Sequence, residues 1–316
     1  MATYKNHKRK KKSNKFLPMV LSILALLSVV FASLYGCSEP FKDFVDEVIF
    51  SSTKSPAIPS INPDGDEMAV HFIDVGQGDA TLFQTSKGSV LVDCSESKYG
   101  DDIVAYLKAQ GVEKLEYFII THPDEDHMGA AAYILENIEV EVFVMNGQEK
   151  STQFFSKALD VIEEKEIPVD IVGPGDVITV GALQLKIFGP QPYLIEDDEW
   201  NEASLIIHAT YGDRSFLLTG DAEKKGESDL LEYYGDKIKC DVFSAGHHGS
   251  KTSNSYELLA AAKPTYVVIS CGEGNKFGHP HQEALDVFQT IGATVYRTDE
   301  LGSIVFVTDG DTLIKK

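Results

Sequence analysis

A run of nine residues, Thr121 to Gly129, constrains this chain most strongly, because it concentrates metal-binding side chains at the end of a strand. It reads Thr-His-Pro-Asp-Glu-Asp-His-Met-Gly. The apolar stretch Leu115–Ile120 before it is typical of a buried strand, and the residues from about Gly129 to Glu136 follow a helical pattern. Mixed nitrogen and oxygen ligands without a thiolate suit zinc or manganese. We therefore predict a metal site, in preference to an acidic surface turn that happens to contain two histidines.

The spacing within this run divides the candidate ligands into two pairs. Residues two apart in an extended loop point the same way, so His122 and Asp124 can converge on one side. Asp126 and His127 turn with the chain towards the helix, and they can face a second position about a metal–metal distance away.

The first 36 residues have the pattern of a targeting or anchoring segment. Residues 1–15 carry seven lysines and arginines and no acid, and Phe16 to Gly36 is apolar apart from three serines. This predicts a signal peptide or membrane anchor whose basic flank stays in the cytoplasm, with the remainder outside. The segment Leu34-Tyr35-Gly36-Cys37 resembles a bacterial lipoprotein processing box. We expect a lipid on Cys37 or an uncleaved single span in preference to full secretion, and the basic flank argues against a buried core helix.

Charge and composition divide the rest of the chain into a linker and one acidic domain. Residues 37–66 are rich in serine and proline and predict a tether to a domain spanning 67–316. The formal charge is −21, and without residues 1–15 the remainder carries about −28. Such a body lacks the basic face of a protein that grips nucleic acid by its phosphates. Any nucleic-acid substrate would be held weakly, or through bound metal.

From Met68 onward, strand-like apolar runs alternate with helical patterns. The predicted strands are Ala69–Val75, Ala80–Gln84, Val90–Asp93, Leu115–Ile120, Val140–Val144, Leu183–Phe188, Ser204–Ala209, Ser215–Leu218, Asp241–Ser244, Tyr266–Ile269, Thr294–Tyr296 and Ile304–Val307. The predicted helices are Asp101–Gln110, Gly129–Glu136, Ser151–Lys165, Ala222–Tyr234, Tyr256–Ala262 and Gln282–Ile291. Strand clusters punctuated by single helices indicate two sheets with helices on both outer faces. Cys94, Cys240 and Cys271 lie at or beside apolar runs without CxxC spacing, which predicts buried thiols.

Two more strands end in polar, glycine-rich loops that present carboxylates. In the first, Asp74-Val-Gly-Gln-Gly-Asp79, the glycines permit a tight turn with backbone close to a ligand, although a plain hairpin explains the loop equally well. In the second, Thr219-Gly-Asp221, the carboxylate either reaches a central site as a bridge or caps the following helix. Taken alone, this segment favours the cap.

Histidines mark two further loops. His247 and His248 are adjacent in a glycine loop after a strand, which favours metal ligation by one and substrate contact by the other over a structural role. His279 lies between glycine and proline and is expected to be fixed in place. His281 is as readily an exposed residue at a helix start.

Together these motifs resemble the metallo-β-lactamase superfamily, and most closely the extracytoplasmic nuclease-like domain of the ComEC DNA-uptake (competence) family. Five motifs occur in order within residues 68–310. The resemblance implies an α/β protein with a four-layer αβ/βα sandwich and a metal site between the loop edges of its two sheets. It implies one or two divalent ions, Zn²⁺ or Mn²⁺. The implied ligands are His122, Asp124, Asp126, His127, Asp221 as a bridge, and His248.

The resemblance also implies roles for neighbouring residues. The implied catalytic residues are Asp126, which would orient the attacking water, and His247 and His279, which would face the substrate. Residues implied to bind substrate or support the ligands are Asp74, Gln77, Asp79, Asn201 and Ser204. Asn201 and Ser204 match a ComEC-like Asn-x-x-Ser pattern in place of a third-motif histidine. Asp124 stands where many hydrolases of the superfamily have histidine.

The chemistry implied is metal-assisted hydrolysis, in which an activated water attacks in line. We expect an extracytoplasmic phosphodiesterase or nuclease acting on DNA. An envelope phosphodiesterase for small or teichoic-acid-type diesters, similar to phosphorylcholine esterases, suits the acidic charge better. A non-catalytic binding protein on the same fold is disfavoured by the intact ligand set, and lactam hydrolysis by Asp124. The expected partners are the phosphodiester substrate and the membrane, with no obligate protein partner.

Overall fold

Fifteen strands form two mixed sheets in residues 60–61, 63–196 and 200–316, the part of the chain that the computed structural model describes. The expected targeting segment, Cys37 and most of the linker lie outside the described residues. Within those residues, no helix has the length and apolar character needed to cross a bilayer.

The strands are β1 Met68–Phe72, β2 Thr81–Thr85, β3 Gly88–Val92, β4 Lys114–Ile119, β5 Glu139–Met145, β6 Val169–Ile171, β7 Val177–Val180, β8 Leu183–Gly189, β9 Ile206–Tyr211, β10 Arg214–Leu218, β11 Val242–Ser244, β12 Tyr266–Ile269, β13 Thr294–Arg297, β14 Ile304–Thr308 and β15 Leu313–Lys315. The α-helices are α1 Gly100–Ala109, α2 Glu125–Met128, α3 Ala131–Asn137, α4 Gln153–Glu164, α5 Pro192–Glu196, α6 Lys224–Tyr234, α7 Tyr256–Ala262, α8 Gln282–Ile291 and α9 Thr298–Leu301. Single 3₁₀ turns are Ser97–Tyr99, Gly235–Ile238 and Gly246–Gly249.

Each sheet joins an antiparallel half to a parallel half. The first has the order β15-β14-β1-β2-β3-β4-β5-β6, and its parallel half runs from β3 to β6. The second has the order β13-β12-β11-β10-β9-β8-β7, and its parallel half runs from β10 to β13. Neighbouring parallel strands have their carboxyl ends on the same side of a sheet. The loops after β3 and β4 therefore lie together, as do those after β10, β11 and β12.

Alternation along the strands divides the core into layers. Phe216 and Leu218 of β10 face the other sheet, whereas Leu217 faces the helices α6 to α8. Across the two sheets, the rings of Phe83 and Phe216 meet edge to face at 6.1 Å, a geometry that contributes about 1 kcal/mol beyond burial. Tyr106 of α1 contacts His71 of β1, whose neighbours Val70 and Phe72 face the other sheet, so α1 packs on the outer side of the first sheet. The expected αβ/βα sandwich is therefore confirmed.

All twelve predicted strands and all six predicted helices are present, with ends that shift by up to three residues. The three strands that the pattern missed, β6, β7 and β15, lie at sheet edges. Their residues are exposed or alternate with exposed ones, so no continuous apolar run marks them. The missed helices α2, α5 and α9 have only four or five residues, too few to show a helical period. The three cysteines are buried free thiols, as predicted.

Candidate metal centre

Asp221 lies at the centre of the cluster that the strand ends bring together. Its carboxylate oxygens lie 3.1 Å from His127 Nε2, 3.8 Å from His248 Nε2 and 3.9 Å from His122 Nε2. The alternative of a helix cap is wrong, because α6 begins at Lys224 and its first amides are bound by another residue. Glu202 accepts hydrogen bonds there from the backbone N–H groups of residues 223, 225 and 226.

Four residues form a group with the composition of a metal site: Asp79, His127, Asp221 and His248. Each offers one nitrogen or oxygen atom, and these atoms all lie within 4.8 Å of one another. The Nε2 atoms of His127 and His248 and Oδ1 of Asp221 are buried without a hydrogen-bond partner. Each such atom costs about 1–3 kcal/mol unless something binds it. A divalent cation would satisfy all three, so the donor set fits a metal ion.

Neighbouring groups fix three imidazoles of the cluster by their Nδ1 atoms. His127 Nδ1 lies 2.8 Å from Asp93 Oδ2, and His248 Nδ1 lies 3.1 Å from the carbonyl oxygen of Ser270. His122 Nδ1 lies 3.2 Å from the hydroxyl oxygens of Thr121 and of Ser204. An Nδ1–H that donates outward leaves the Nε2 lone pair directed at the centre, which is how metal-binding histidines are usually oriented.

Asp93 is a functional residue that the sequence reasoning did not single out. It accepts hydrogen bonds from the backbone N–H and the hydroxyl of Thr121, both at 2.8 Å, in addition to contacting His127. Its position directly after the apolar strand β3 was the available signal, because the other site carboxylates also follow strands. The apolar pattern alone makes this aspartate the last residue of the predicted strand Val90–Asp93.

The electrostatics of the cluster favour positive charge between His127 and His248. Burial disfavours their charged forms, but nearby carboxylates, above all Asp221, outweigh it. They raise the pKa of His127 well above its usual value and that of His248 to about 9. Burial likewise opposes ionisation of Asp221, yet the imidazoles hold its pKa well below the usual value. By contrast, burial, helped by His127, lowers the pKa of His122 to about 4.

Asp126 and Asp79 approach the same imidazole from two elements. Asp126 Oδ2 lies 3.3 Å from His248 Nε2, and Asp79 Oδ1 lies 3.8 Å from His248 Nδ1. Burial opposes ionisation of Asp126, but the contact with His248 keeps its pKa below the usual value. Burial raises the pKa of Asp79. Asp79 thus belongs to the possible ligand group itself, although the resemblance implied a supporting or substrate-binding role for it.

The glycine loop after β1, for which the sequence leaves a nearby ligand and a plain hairpin open, packs closely against the helix that carries Asp126 and His127. A Cβ on Gly78, whose φ is +136°, would lie 2.6 Å from the backbone oxygen of Asp126. The N–H of Asp79 donates to that same oxygen at 3.1 Å. The glycine therefore allows this loop to close onto α2, whose first turn carries both Asp126 and His127.

Asp124 points to a different partner. Its Oδ1 atom lies 2.5 Å from Lys150 Nζ, and Lys150 Nζ lies 5.0 Å from the centroid of the Trp200 ring. The sequence reasoning missed this lysine, which lies in the loop after β5 and has no motif around it. Asp124 remains close enough to His122 to oppose the lowering of its pKa.

His247 and His279 lie beside the cluster on the His248 side. The ring centroid of His279 is 5.5 Å from that of His247 and 6.2 Å from that of His248. His247 Nε2 lies 3.5 Å from Asp221 Oδ2, its Nδ1 lies 3.2 Å from Glu223, and its side chain is 22% exposed. The positions expected to face the substrate are thus next to the centre.

A buried asparagine maintains the turn that carries the paired histidines. His247 and His248 both have left-handed backbones, with φ of 51° and 54°, a conformation that costs about 1–2 kcal/mol per non-glycine residue. The side chain of Asn254 accepts from the N–H of Gly246 and donates to the carbonyl groups of Gly246 and Ser250. These bonds brace the turn on both sides.

The remaining predicted residues support loops. The carboxylate of Asp74 is exposed and accepts from the N–H of Gly76, while Gln77 accepts from the N–H of Gly272. Ser204 accepts from the N–H of Asp221 at 3.0 Å and also contacts His122. Asn201 accepts the N–H of Ser204 through its backbone oxygen. Of these four residues, Ser204 contacts the candidate ligands directly.

Known proteins share both the sequence pattern and the fold. The Metallo-beta-lactamase superfamily pattern matches residues 73–273. ComE operon protein 3 of Bacillus subtilis is 31% identical over 78% of this chain and 34% of its own length. Recombination protein 2 of Haemophilus influenzae is 31% identical over 74% of this chain and 28% of its own length. The chain therefore spans about a third of these relatives.

A solved structure shares the architecture at low identity. The metallo-beta-lactamase fold protein YhfI of Bacillus subtilis superposes with a TM-score of 0.52 at 13% identity, covering 77% of this chain and all of YhfI. That likeness shows the fold alone. Competence protein ComA of Neisseria gonorrhoeae is 28% identical over 81% of this chain and 34% of its own length, and together with the two other relatives it confirms the resemblance to the competence family. By its sequence pattern, the chain belongs to the metallo-β-lactamase superfamily.

Proposed function

We propose that this chain is a metal-dependent phosphodiesterase that cleaves DNA outside the cytoplasm. The observation that carries the proposal is the convergence of buried, unpartnered imidazole and carboxylate atoms at the sheet edges. The names of the relatives, which refer to competence and recombination, support DNA as the substrate.

The side chains divide into metal-holding and substrate-facing groups. A divalent ion held by His127, His248, Asp221 and a further aspartate would supply Lewis-acid charge, lowering the pKa of a coordinated water and offsetting charge on phosphate oxygens. Asp126, kept ionised by its contact with His248, can accept a hydrogen bond from the attacking water and orient it.

His247 and His279, which lie outside the ligand group, are placed to stabilise the oxygen of the leaving group. Glu223 lies on the Nδ1 side of His247, so the Nε2 atom of His247 faces the cluster. From there the imidazole can donate a proton or a hydrogen bond to the substrate. His279 has a pKa lowered to about 4, by burial first and then by its histidine neighbours. It is therefore neutral at pH 7 and can contribute an N–H hydrogen bond without a net charge.

A second candidate is a phosphodiesterase for a small or envelope diester, as in teichoic acids. The charge of the chain favours it, since −21 repels a polyanion. A small diester would meet mainly the metal and the nearby imidazoles, so the surface charge would matter less. The two candidates share the same centre and differ only in the length of substrate that it accepts.

Cleavage assays on the full-length chain test both candidates. The chain, loaded with Mn²⁺ or Zn²⁺, is incubated with plasmid DNA, a single-stranded oligonucleotide and bis(p-nitrophenyl) phosphate. We expect metal-dependent cleavage of DNA, with kcat reduced at least ~100-fold in Asp126→Asn because the water loses its orienting carboxylate. The matched control, Asp236→Asn, changes an aspartate whose side chain is 87% exposed and should keep full activity.

The results of these assays distinguish the nuclease, the envelope phosphodiesterase and the binding protein. Cleavage of the aryl diester with both DNAs left intact would favour the envelope phosphodiesterase. A metal-loaded chain that is inert on all three substrates would support a binding protein and contradict the proposal.

A further inference from the structure

A lysine occupies the Asp124 side of the centre, where the family resemblance implies room for a second ion. Lys150 Nζ and Asp124 Oδ1 are 2.5 Å apart, and the two side chains are only 25% and 31% exposed. We propose that Lys150 stands in for a second metal ion, so that this chain binds a single divalent ion at the His127–His248 end. This inference concerns the metal centre and does not depend on which phosphodiester is the substrate.

Buried hydrogen bonds hold the loop that carries Lys150. Asn146 donates through Nδ2 to the carbonyl oxygen of Ala203 at 2.7 Å, and its Oδ1 accepts from the N–H of Gln148 at 2.9 Å. The side chains of Asn146 and Gln148 also hydrogen-bond to each other at 2.8 Å. Both residues are almost fully buried. The backbone just before Lys150 is therefore tied to the loop of Ser204, beside the centre.

The aromatic ring of Trp200 contacts the same ammonium group. It lies 5.0 Å from Lys150 Nζ, within the range of a cation–π interaction. The carboxylate and the ring together restrain the lysine against rotating away into solvent. The positive charge of Lys150 is therefore held in place on the Asp124 side of the centre.

Few donors remain for an ion beside Asp124. His122 Nε2 is buried and unpartnered, and the nearest Asp221 oxygen to it is Oδ2, at 3.9 Å. Ser204 stands where the family pattern has a ligating histidine, and its hydroxyl already accepts from the N–H of Asp221 and contacts His122. With Asp124 bound to Lys150, two donors are left among the residues that the structure describes, whereas structural and catalytic zinc sites use three or four protein ligands. A divalent cation there would also face the ammonium charge directly.

The His127–His248 end of the centre holds a candidate ligand group of its own. Its four possible ligands, Asp79, His127, Asp221 and His248, have their donor atoms within 4.8 Å of one another. Neither Asp124 nor His122 belongs to that group. The ligand roles that the resemblance implied for these two residues therefore give way, in this proposal, to an ion pair and an unoccupied imidazole nitrogen.

Metal content tests the proposal without any substrate. The full-length chain is stripped with a chelator, dialysed against excess Mn²⁺ or Zn²⁺, freed of loose metal, and analysed by inductively coupled plasma mass spectrometry. We expect one ion per chain for the unchanged protein and two for Lys150→Met, because removing the ammonium frees Asp124. Lys150→Arg keeps the charge and should retain one ion. Asp124→Asn should also retain one, since Asp124 is not a ligand.

The matched control is Lys114→Met. Lys114 likewise lies 2.5 Å from a carboxylate, that of Glu141, but on strand β4 and outside the candidate ligand group. It should leave the count at one, and circular dichroism confirms that each variant is folded. Two ions in the unchanged protein, or an unchanged count in folded Lys150→Met, would overturn the proposal. Loss of the ion from folded Asp124→Asn would overturn it too, because Asp124 would then be a ligand.

Discussion

Asp93 shows how one residue outside the ligand group can set the affinity of the centre. Its two oxygens accept three hydrogen bonds, two from Thr121 and one from the imidazole of His127. One carboxylate thereby joins the end of β3 to the loop after β4. A neutral amide of the same shape has only one oxygen and cannot accept all three.

We expect Asp93→Asn to weaken metal binding about 10–100-fold, the usual effect of removing the partner of a ligand imidazole. The dissociation constant for Zn²⁺ can be measured by competition with a chromophoric chelator. Asp241→Asn is the matched control, because Asp241 also accepts a backbone N–H next to a strand but pairs with Arg214, not with a site histidine. Equal affinities in the two variants would show that Asp93 does not orient His127.

At individual positions, the sequence predicted the candidate metal ligands better than the residues that contact them. His127, Asp221 and His248 could be predicted because imidazoles and carboxylates follow strands in glycine-rich loops. Lys150 and Asp93 could not, because lysine and aspartate are ordinary surface residues. Their roles come from contacts with residues 26 and 34 positions away in the chain. Only the assembled fold brings these pairs together.

Strand β1 and helix α1 meet through a buried polar contact. His71 Nδ1 lies 3.0 Å from the hydroxyl of Tyr106, and the histidine is fully buried. Burial lowers the pKa of His71 from 6.5 to about 4, opposed in part by Gln84. The folded protein therefore keeps this imidazole neutral at a pH where the unfolded chain protonates it.

The burial of His71 makes the stability of the domain depend on pH. The contribution is fully present above pH 6.5 and is lost as the pH falls from 6.5 to about 4, since only the unfolded chain takes up the proton in that window. Its full size is about 3 kcal/mol. Urea unfolding at pH 7 and pH 4.5 should show that His71→Phe loses less stability on acidification than the unchanged protein. A difference between the two proteins that is the same at both pH values would contradict this.

Among the strands and helices, burial decided which ones could be predicted from the sequence. Central strands such as β4 and β12 are nearly continuous apolar runs, and their bounds were predicted almost correctly. The edge strand β6 is exposed at all three positions, so backbone pairing with β5 alone defines it. Helix α2 has four residues, and a single turn shows no helical period in the sequence, although it carries Asp126 and His127.

At the level of the whole molecule, the two sheets present their parallel edges to one cluster. Loops after strands of both sheets supply the candidate ligands, so the centre depends on the packing of one sheet against the other. The inter-sheet core of apolar residues from β1, β2, β9, β10 and their neighbours maintains that packing. Fold and centre are thus one structural unit, in which the core places the loops and the loops place the ligands.

The most direct test of the metal centre is a crystal structure of the full-length chain grown with Mn²⁺, with anomalous diffraction recorded at the manganese edge. We expect an anomalous peak about 2.0–2.3 Å from the Nε2 atoms of His127 and His248 and in contact with the carboxylate of Asp221. A map with no peak at these atoms, or with manganese bound only to exposed carboxylates elsewhere, would contradict it.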